Sequence, residues 1–360
     1  MQEHHAGLLL LFFASPTNSC TEQENNSLIN FLDGLMPDDN GGLNVSWMKG
    51  TGCYKWEGII CSSDGTVIDV LLTSEGLKGG ISPSLGNLTG LLHLNMSQNS
   101  LEGSLPTVLV FSRSIIGLNV SFNHLKGHLQ EMQSSNPSLP LHVLNISSNS
   151  FTGQSPLTTW EVTKNLVAFN ASNNSFTGQI PSSICINAPS FSMLDLSYNQ
   201  FSGNISLGLG SCSMLRVLKV GHNHLTKALH VGLFNATSLE HLSLANNGLQ
   251  GVLDGSHIVK LSNLTVLDLG STGLCGKILD SVGQLRRLKK LYLDNNNMCG
   301  ELPSTLGNYS NLGYITLRNI SFTGDLSKVN FTMLDMRTTD FSINNFSGTI
   351  PESIYSCTNQ

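Results

Sequence analysis

One ten-residue phrase recurs through most of this chain and limits what the chain can become. It is seen most clearly at Leu194-Asp195-Leu196-Ser197-Tyr198-Asn199-Gln200-Phe201-Ser202-Gly203. Aligned on its first apolar position, it starts at Val70, Leu94, Leu118, Leu144, Phe169, Leu194, Leu218, Leu242, Leu267, Leu291, Ile315 and Thr339, in steps of 24 to 26 residues. A fixed period of that size is the signature of a solenoid. Leu194 and Leu196 alternate as a short strand does, so both face inward and Asp195 faces out. Asn199 ends the strand, and its amide can bond turning backbone groups that would otherwise be buried unpaired. Phe201 returns the chain to the core, and Gly203 suits a tight bend. Stacked coils align their strands into one parallel sheet with a buried asparagine column beside it. No coil can bury its apolar face alone, so stability comes from neighbours.

Several coils continue with a second phrase, as in Gly178-Gln179-Ile180-Pro181, Glu301-Leu302-Pro303 and Gly348-Thr349-Ile350-Pro351, and close with Leu85-Gly86-Asn87-Leu88 or Leu306-Gly307-Asn308. The combined pattern resembles the plant extracellular subclass of leucine-rich repeats. The resemblance implies an α/β solenoid of about twelve repeats, a right-handed superhelix with a parallel concave β-sheet. Some coils depart from the pattern: Ile320 and Thr272 replace ladder asparagines, Lys227 takes a glycine position, and Thr339 replaces the first leucine.

Charged residues make up only 12% of the chain and the net charge is −6, so no basic tract points to nucleic acid and no acidic tail is present. The chain shows no nucleophile elbow, no phosphate-binding loop and no kinase motif set. His222 and His224 flank the ladder residue Asn223 without a third ligand, and Asp195, Asp268 and Asp340 occupy one repeat position rather than forming a catalytic pair. No enzyme, cofactor or metal is expected.

The apolar run Leu8–Ala14 within residues 1–19 reads as a short secretory leader. No later run approaches the roughly 20 apolar residues that span a bilayer. Sequons expected to carry glycans include Asn44, Asn87, Asn95, Asn119, Asn145, Asn170, Asn204, Asn235, Asn263 and Asn308. Four of them, Asn95, Asn119, Asn145 and Asn170, share one outward position on successive strands, where either sugars or an amide ladder would lie.

Residues 20–66 resemble the plant leucine-rich-repeat N-terminal cap. A short amphipathic helix is expected at Ser27–Leu35, followed by Trp47 and Cys53-Tyr54-Lys55-Trp56-Glu57-Gly58-Ile59-Ile60-Cys61. The solenoid then runs from 67 to 360, with no C-terminal cap. The family's cap has a cysteine pair where this chain has Cys53-Tyr54, so Cys20, Cys53 and Cys61 cannot all pair. The short loop favours Cys53–Cys61 with Cys20 free, and the rival is Cys20–Cys53. Cys212 and Cys357 read as small buried apolar residues, the partner of Cys185 is open, and a Cys275–Cys299 bridge between neighbouring coils is equally open.

The segments Trp160–Pro181, Leu209–Lys219 and Cys20–Glu24 resemble ectodomains of plant receptors for tyrosine-sulfated peptides. The resemblance implies an extracellular recognition scaffold at the plasma membrane that binds a secreted peptide or protein ligand, sulfated in that family, beside a leucine-rich-repeat co-receptor. Its late repeats, island, membrane helix and kinase have no counterpart here, which reads as a truncated chain. The alternatives are a secreted inhibitor resembling plant polygalacturonase inhibitors, or a fragment without signalling. Candidate ligand contacts on the concave face are Lys219, His222, His241, Lys290, Tyr292, Asp294, Tyr314 and Arg318, where cations and aromatic rings can hold a sulfated or carboxylated peptide.

Overall fold

The computed structural model describes residues 20–36, 42–48, 50–132, 138–181, 184–253, 255–278, 280–308, 311–332, 334 and 337–358. The expected leader, 1–19, lies outside the described residues. From β2 (Val67–Leu71) onward, each coil adds one three-residue strand to a 13-stranded sheet. The neighbours are parallel, and the first leucines pair in an unbroken row from Val70↔Leu94 to Ile315↔Thr339. The edge strand β1 (Ile59–Cys61) is the exception, pairing antiparallel with β2.

A second sheet of twelve strands, also parallel, runs along the other flank of the solenoid. The sequence reading anticipates only one sheet. The second arises because the residues around the core-returning position, such as Gln200–Gly203, are extended and one coil apart from their equivalents. The glycine ending each segment sits at positive φ, as at Gly203 (+88°), which an L side chain rarely adopts. Lys227 holds +71° without that freedom.

The interior is a continuous apolar column. Leu194, Leu218, Leu242 and Leu291 are fully buried, and Phe151, Phe176 and Phe201 stack with centroids 6.2 Å apart. Beside it run the ladder asparagines. Asn223 shares its amide hydrogens among Leu196 O (3.0 Å), Val220 O (3.0 Å) and Gly221 O (3.1 Å), and its Oδ1 accepts from Phe201 N–H (2.9 Å). Two of these four partners lie in the preceding coil. At the degraded position, the Thr272 hydroxyl is shared between Leu269 O and Asn296 Oδ1, at 2.9 Å each. Ile320 is simply buried.

The cap covers the first coil. Helix α1 (Glu22–Leu32) starts earlier than the expected Ser27, because Thr21 and Glu24 form a capping box. Leu28 and Phe31 are fully buried, and Trp47 stacks on Trp56 at 5.4 Å. The Glu24 carboxylate also accepts from Val67 N–H (2.9 Å), fastening the helix to β2.

The cysteine expectations need correction. Cys53 pairs with Cys20, not Cys61, with Cα atoms 5.8 Å apart. The capping box turns the start of α1 toward the buried Cys53, and Cys61 remains a half-buried free thiol. Cys212 is buried as expected but is not a lone apolar residue, since it is joined to Cys185 one coil earlier. Cys275 and Cys299 are free, because the register sets Cys275 opposite Asn297 and Gly276 opposite Met298.

Asn223→Ala would leave a buried N–H and several carbonyls unpaired, at about 2–4 kcal/mol, whereas Thr272→Asn, which completes the ladder, should gain about 1 kcal/mol. Thermal unfolding of the two variants checks this, and equal effects would contradict it.

Candidate functional site

Each strand of the concave sheet offers two outward positions, one on either side of its inward leucine. The first row runs Val217, His241, Val266, Lys290, Tyr314 and Thr338, and the second runs Lys219, Ser243, Asp268, Tyr292, Thr316 and Asp340. Five candidates therefore stand on strands: His241, Lys290 and Tyr314 in the first row, Lys219 and Tyr292 in the second. Asp294 and Arg318 lie two residues beyond the second row. His222 lies at the sheet edge at φ +55°, stacked on Tyr198 at 3.9 Å and 3.1 Å from the Asn246 amide.

The cations are not equivalent. Lys219 lies 3.6 Å from Asp195, which is 7% exposed and also accepts from the Ser197 hydroxyl, so that charge is partly neutralised. Arg318 lies 3.8 Å from Asp340. Hydrogen bonds from Ser342, with Arg318 nearby, hold the Asp340 carboxyl below the usual range. Lys290 instead extends over the Tyr314 ring, 4.9 Å from its centroid. Asp294 accepts from the Thr316 hydroxyl (2.8 Å). Burial, with the Asp268 charge beside it, pushes the Tyr292 phenol up. Burial likewise raises Asp268, against hydrogen bonds from Ser243 and Gly270.

Lys290 and Tyr314 also line a cavity of about 340 Å³ together with Lys289, Asn311, Gly313 and Arg337. Three cations border it, and among the described residues that line it there is no carboxylate. Lys289, Gly313 and Arg337 occupy one column just before the strands, linked by Gly313 N–H to Lys289 O (3.0 Å) and Arg337 N–H to Gly313 O (2.7 Å). A glycine between the two cations leaves the space open. The sequence reading omits this column, although the repeat alignment places its three members in register.

The four stacked sequon asparagines do not form the amide ladder between coils. Each carboxamide oxygen accepts from the backbone N–H and hydroxyl of the serine two residues on, as in Asn95 to Ser97 and Asn170 to Ser172.

His241 is the most perturbed group on this face. Burial first, then the charges of Lys219 and Lys290, lower its pKa from 6.5 to about 4, while Asp195 opposes them. A folded-state pKa below the unfolded one means that the unfolded chain binds more protons in between, so stability falls as pH drops from about 6.5 toward 4. His241→Gln should remove that part of the acid sensitivity, which melting temperatures of the two proteins across this range would reveal.

Among the described residues no helix is long and apolar enough to cross a membrane. The Leucine Rich Repeat family profile matches residues 165–186, 190–212 and 287–309. Phytosulfokine receptor 1 of Arabidopsis thaliana is 34% identical over 125 residues, covering 33% of this chain and 12% of that protein. The chain thus matches only a small part of such relatives. The solved structure of PEPR1 with AtPEP1 superposes with a TM-score of 0.77 at 26% identity, over 93% of this chain and 50% of that one. The Arabidopsis receptor kinase HAESA, in complex with the peptide hormone IDA and the co-receptor SERK1, gives 0.76 at 27% identity, over 93% and 60%. The chain is a leucine-rich-repeat solenoid of the type that forms the ectodomains of plant receptor kinases.

Proposed function

We propose that this chain is the extracellular recognition scaffold of a plant peptide receptor, binding an extended acidic peptide along the later concave strands. The carrying observation is the cavity where Lys290 lies over the Tyr314 ring, with Lys289 and Arg337 also on its border. A sulfate or carboxylate would receive charge-assisted hydrogen bonds there, and an aromatic or apolar neighbour on the peptide would lie against Tyr314. The strand rows continue from the cavity to Tyr292 and, past Asp268, to His241 and Lys219, so an extended peptide along them would meet further rings and a cation. The structures of PEPR1 with AtPEP1 and of HAESA with the peptide hormone IDA support this reading. A leucine-rich-repeat co-receptor would complete the assembly, as SERK1 does for HAESA, and the location would be the outer face of the plasma membrane.

Glycans fit the same division of the surface. Asn95, Asn119, Asn145 and Asn170 are half-exposed on the early strands, and sugars on any of them would cover that part of the sheet. Asn87, Asn204 and Asn235 are exposed elsewhere.

Secreted protein should bind peptides of ten to twenty residues carrying a sulfotyrosine or a free C-terminal carboxylate more tightly than their uncharged counterparts. Lys290→Glu with Arg337→Glu should weaken binding about tenfold or more, the loss expected for a charged hydrogen bond. Calorimetry with the synthetic peptides measures both. Equal affinity for charged and uncharged peptides would overturn the proposal.

A further inference from the structure

The cap holds an arrangement that the receptor reading does not use. The sulfurs of Cys20, Cys53 and Cys61 all lie within 4.8 Å of one another, although only Cys20 and Cys53 are bonded. Cys61 is thus a free thiol placed against a disulfide, and it is half-buried at the end of an edge strand. Tyr54 stands next to Cys53, so the chain offers three cysteines in the cap.

We propose that Cys61 exchanges with the Cys20–Cys53 disulfide, converting the cap between two pairings. The Cys61 thiolate attacks Sγ of Cys53; the Cys53–Cys61 bond forms as the Cys20–Cys53 bond breaks. Cys20 leaves with the electron pair as a thiolate and takes up the proton that Cys61 gave up. No oxidant or reductant is consumed, since one disulfide and one thiol stand on each side. Cys20 is the better leaving group of the two bonded sulfurs. It lies just before the N-terminus of the eleven-residue α1, where backbone N–H groups favour negative charge against the acids Glu22 and Glu24 of the first turn, and it is slightly less buried than Cys53.

The two pairings hold the cap differently. Cys20–Cys53 ties the start of α1 to the cap core across 33 residues. Cys53–Cys61 closes only the local loop and leaves α1 held by its apolar face and by the Glu24 bond to Val67. Exchange therefore loosens the layer over the first coil without reducing the protein. Burial, and then the Glu24 charge on α1, push the Cys61 thiol up. Exchange is accordingly restrained in acid and accelerates as the thiolate fraction grows in mild alkali.

Secreted wild-type protein held at pH 6 or pH 8.5, then quenched in acid and alkylated, decides the matter by peptide mapping without reduction. Among the three cap cysteines, the expected result is label on Cys61 alone at pH 6, with label on Cys20 and a linked Cys53–Cys61 peptide accumulating at pH 8.5. Cap label confined to Cys61 after a day at pH 8.5 would overturn the proposal, as would a disulfide-linked dimer through Cys61. Cys61→Ser should leave no cap thiol to label at either pH. Cys20→Ser should form Cys53–Cys61, and two free thiols there would also contradict it. If that variant is not secreted, the wild-type map decides alone.

Discussion

The ladder amide is the interaction on which the rest of this solenoid depends. A coil that turns out of its strand leaves carbonyls and an N–H pointing into the space between sheets, where water is excluded. In most coils one asparagine satisfies that set, and it does so across the boundary to the preceding coil: Asn199 reaches Ala171 O and receives Phe176 N–H, and Asn247 reaches Val220 O and receives Leu225 N–H. Each coil therefore completes its neighbour's hydrogen bonding as well as its own. That is how a one-dimensional stack becomes cooperative when its apolar contacts alone would tolerate slippage. The residue before each amide carries the conformational cost. Gln98, Phe122, Tyr198, His222, Asn295 and even the β-branched Ile343 all sit at φ between +52° and +59°, a region that costs roughly 1–2 kcal/mol per residue. The position tolerates such varied side chains because the ladder fixes the backbone on either side of it.

The repeat period makes the strands, the inward leucines and the asparagine column legible in the sequence, since each is a local consequence of one phrase. The Thr21–Glu24 capping box was legible too, as a threonine three residues before a glutamate, but the apolar pattern of Ser27–Leu35 drew the helix too late. The second sheet was harder to see: its short segments acquire hydrogen bonds only once the coils are stacked at a particular rise. The cysteines show the same limit. A short loop argues for Cys53–Cys61, but the fold brings the sulfurs of Cys20 and Cys61 both close to Cys53, and the bond goes to Cys20, which loop length alone does not tell. Cys275 and Cys299 look equivalent in the alignment, yet a two-residue offset in the second-sheet register separates them.

The candidate site divides along the same line. Which residues project from the concave sheet follows from alternation, and Lys219, His241, Lys290, Tyr292 and Tyr314 stand where that rule puts them. How their charges balance does not follow, because it depends on neighbours one coil away. Lys219 faces the nearly buried Asp195, and Arg318 faces Asp340, so two of the three expected Lys and Arg cations answer charges of the protein itself. Asn95, Asn119, Asn145 and Asn170 likewise turn their oxygens to serines of their own coil.

Because the ladder fixes the backbone, specificity can change only in the outward columns, and a column differs from its neighbours chiefly by what one coil places next to the next. Gly313 is the instructive residue. In its column the preceding coils carry Ser192, Arg216, Glu240 and Thr265, and the Arg216–Glu240 pair, 3.7 Å apart, shows adjacent members neutralising each other. Lys289, Gly313 and Arg337 instead set two cations on either side of a residue with no side chain. Lys290 adds a third charge from the neighbouring row, and its contact with Tyr314 holds the ammonium without neutralising it. An anion entering that cavity would meet cations from two neighbouring columns, and the room for it comes from the glycine at 313 rather than from any change in the ladder.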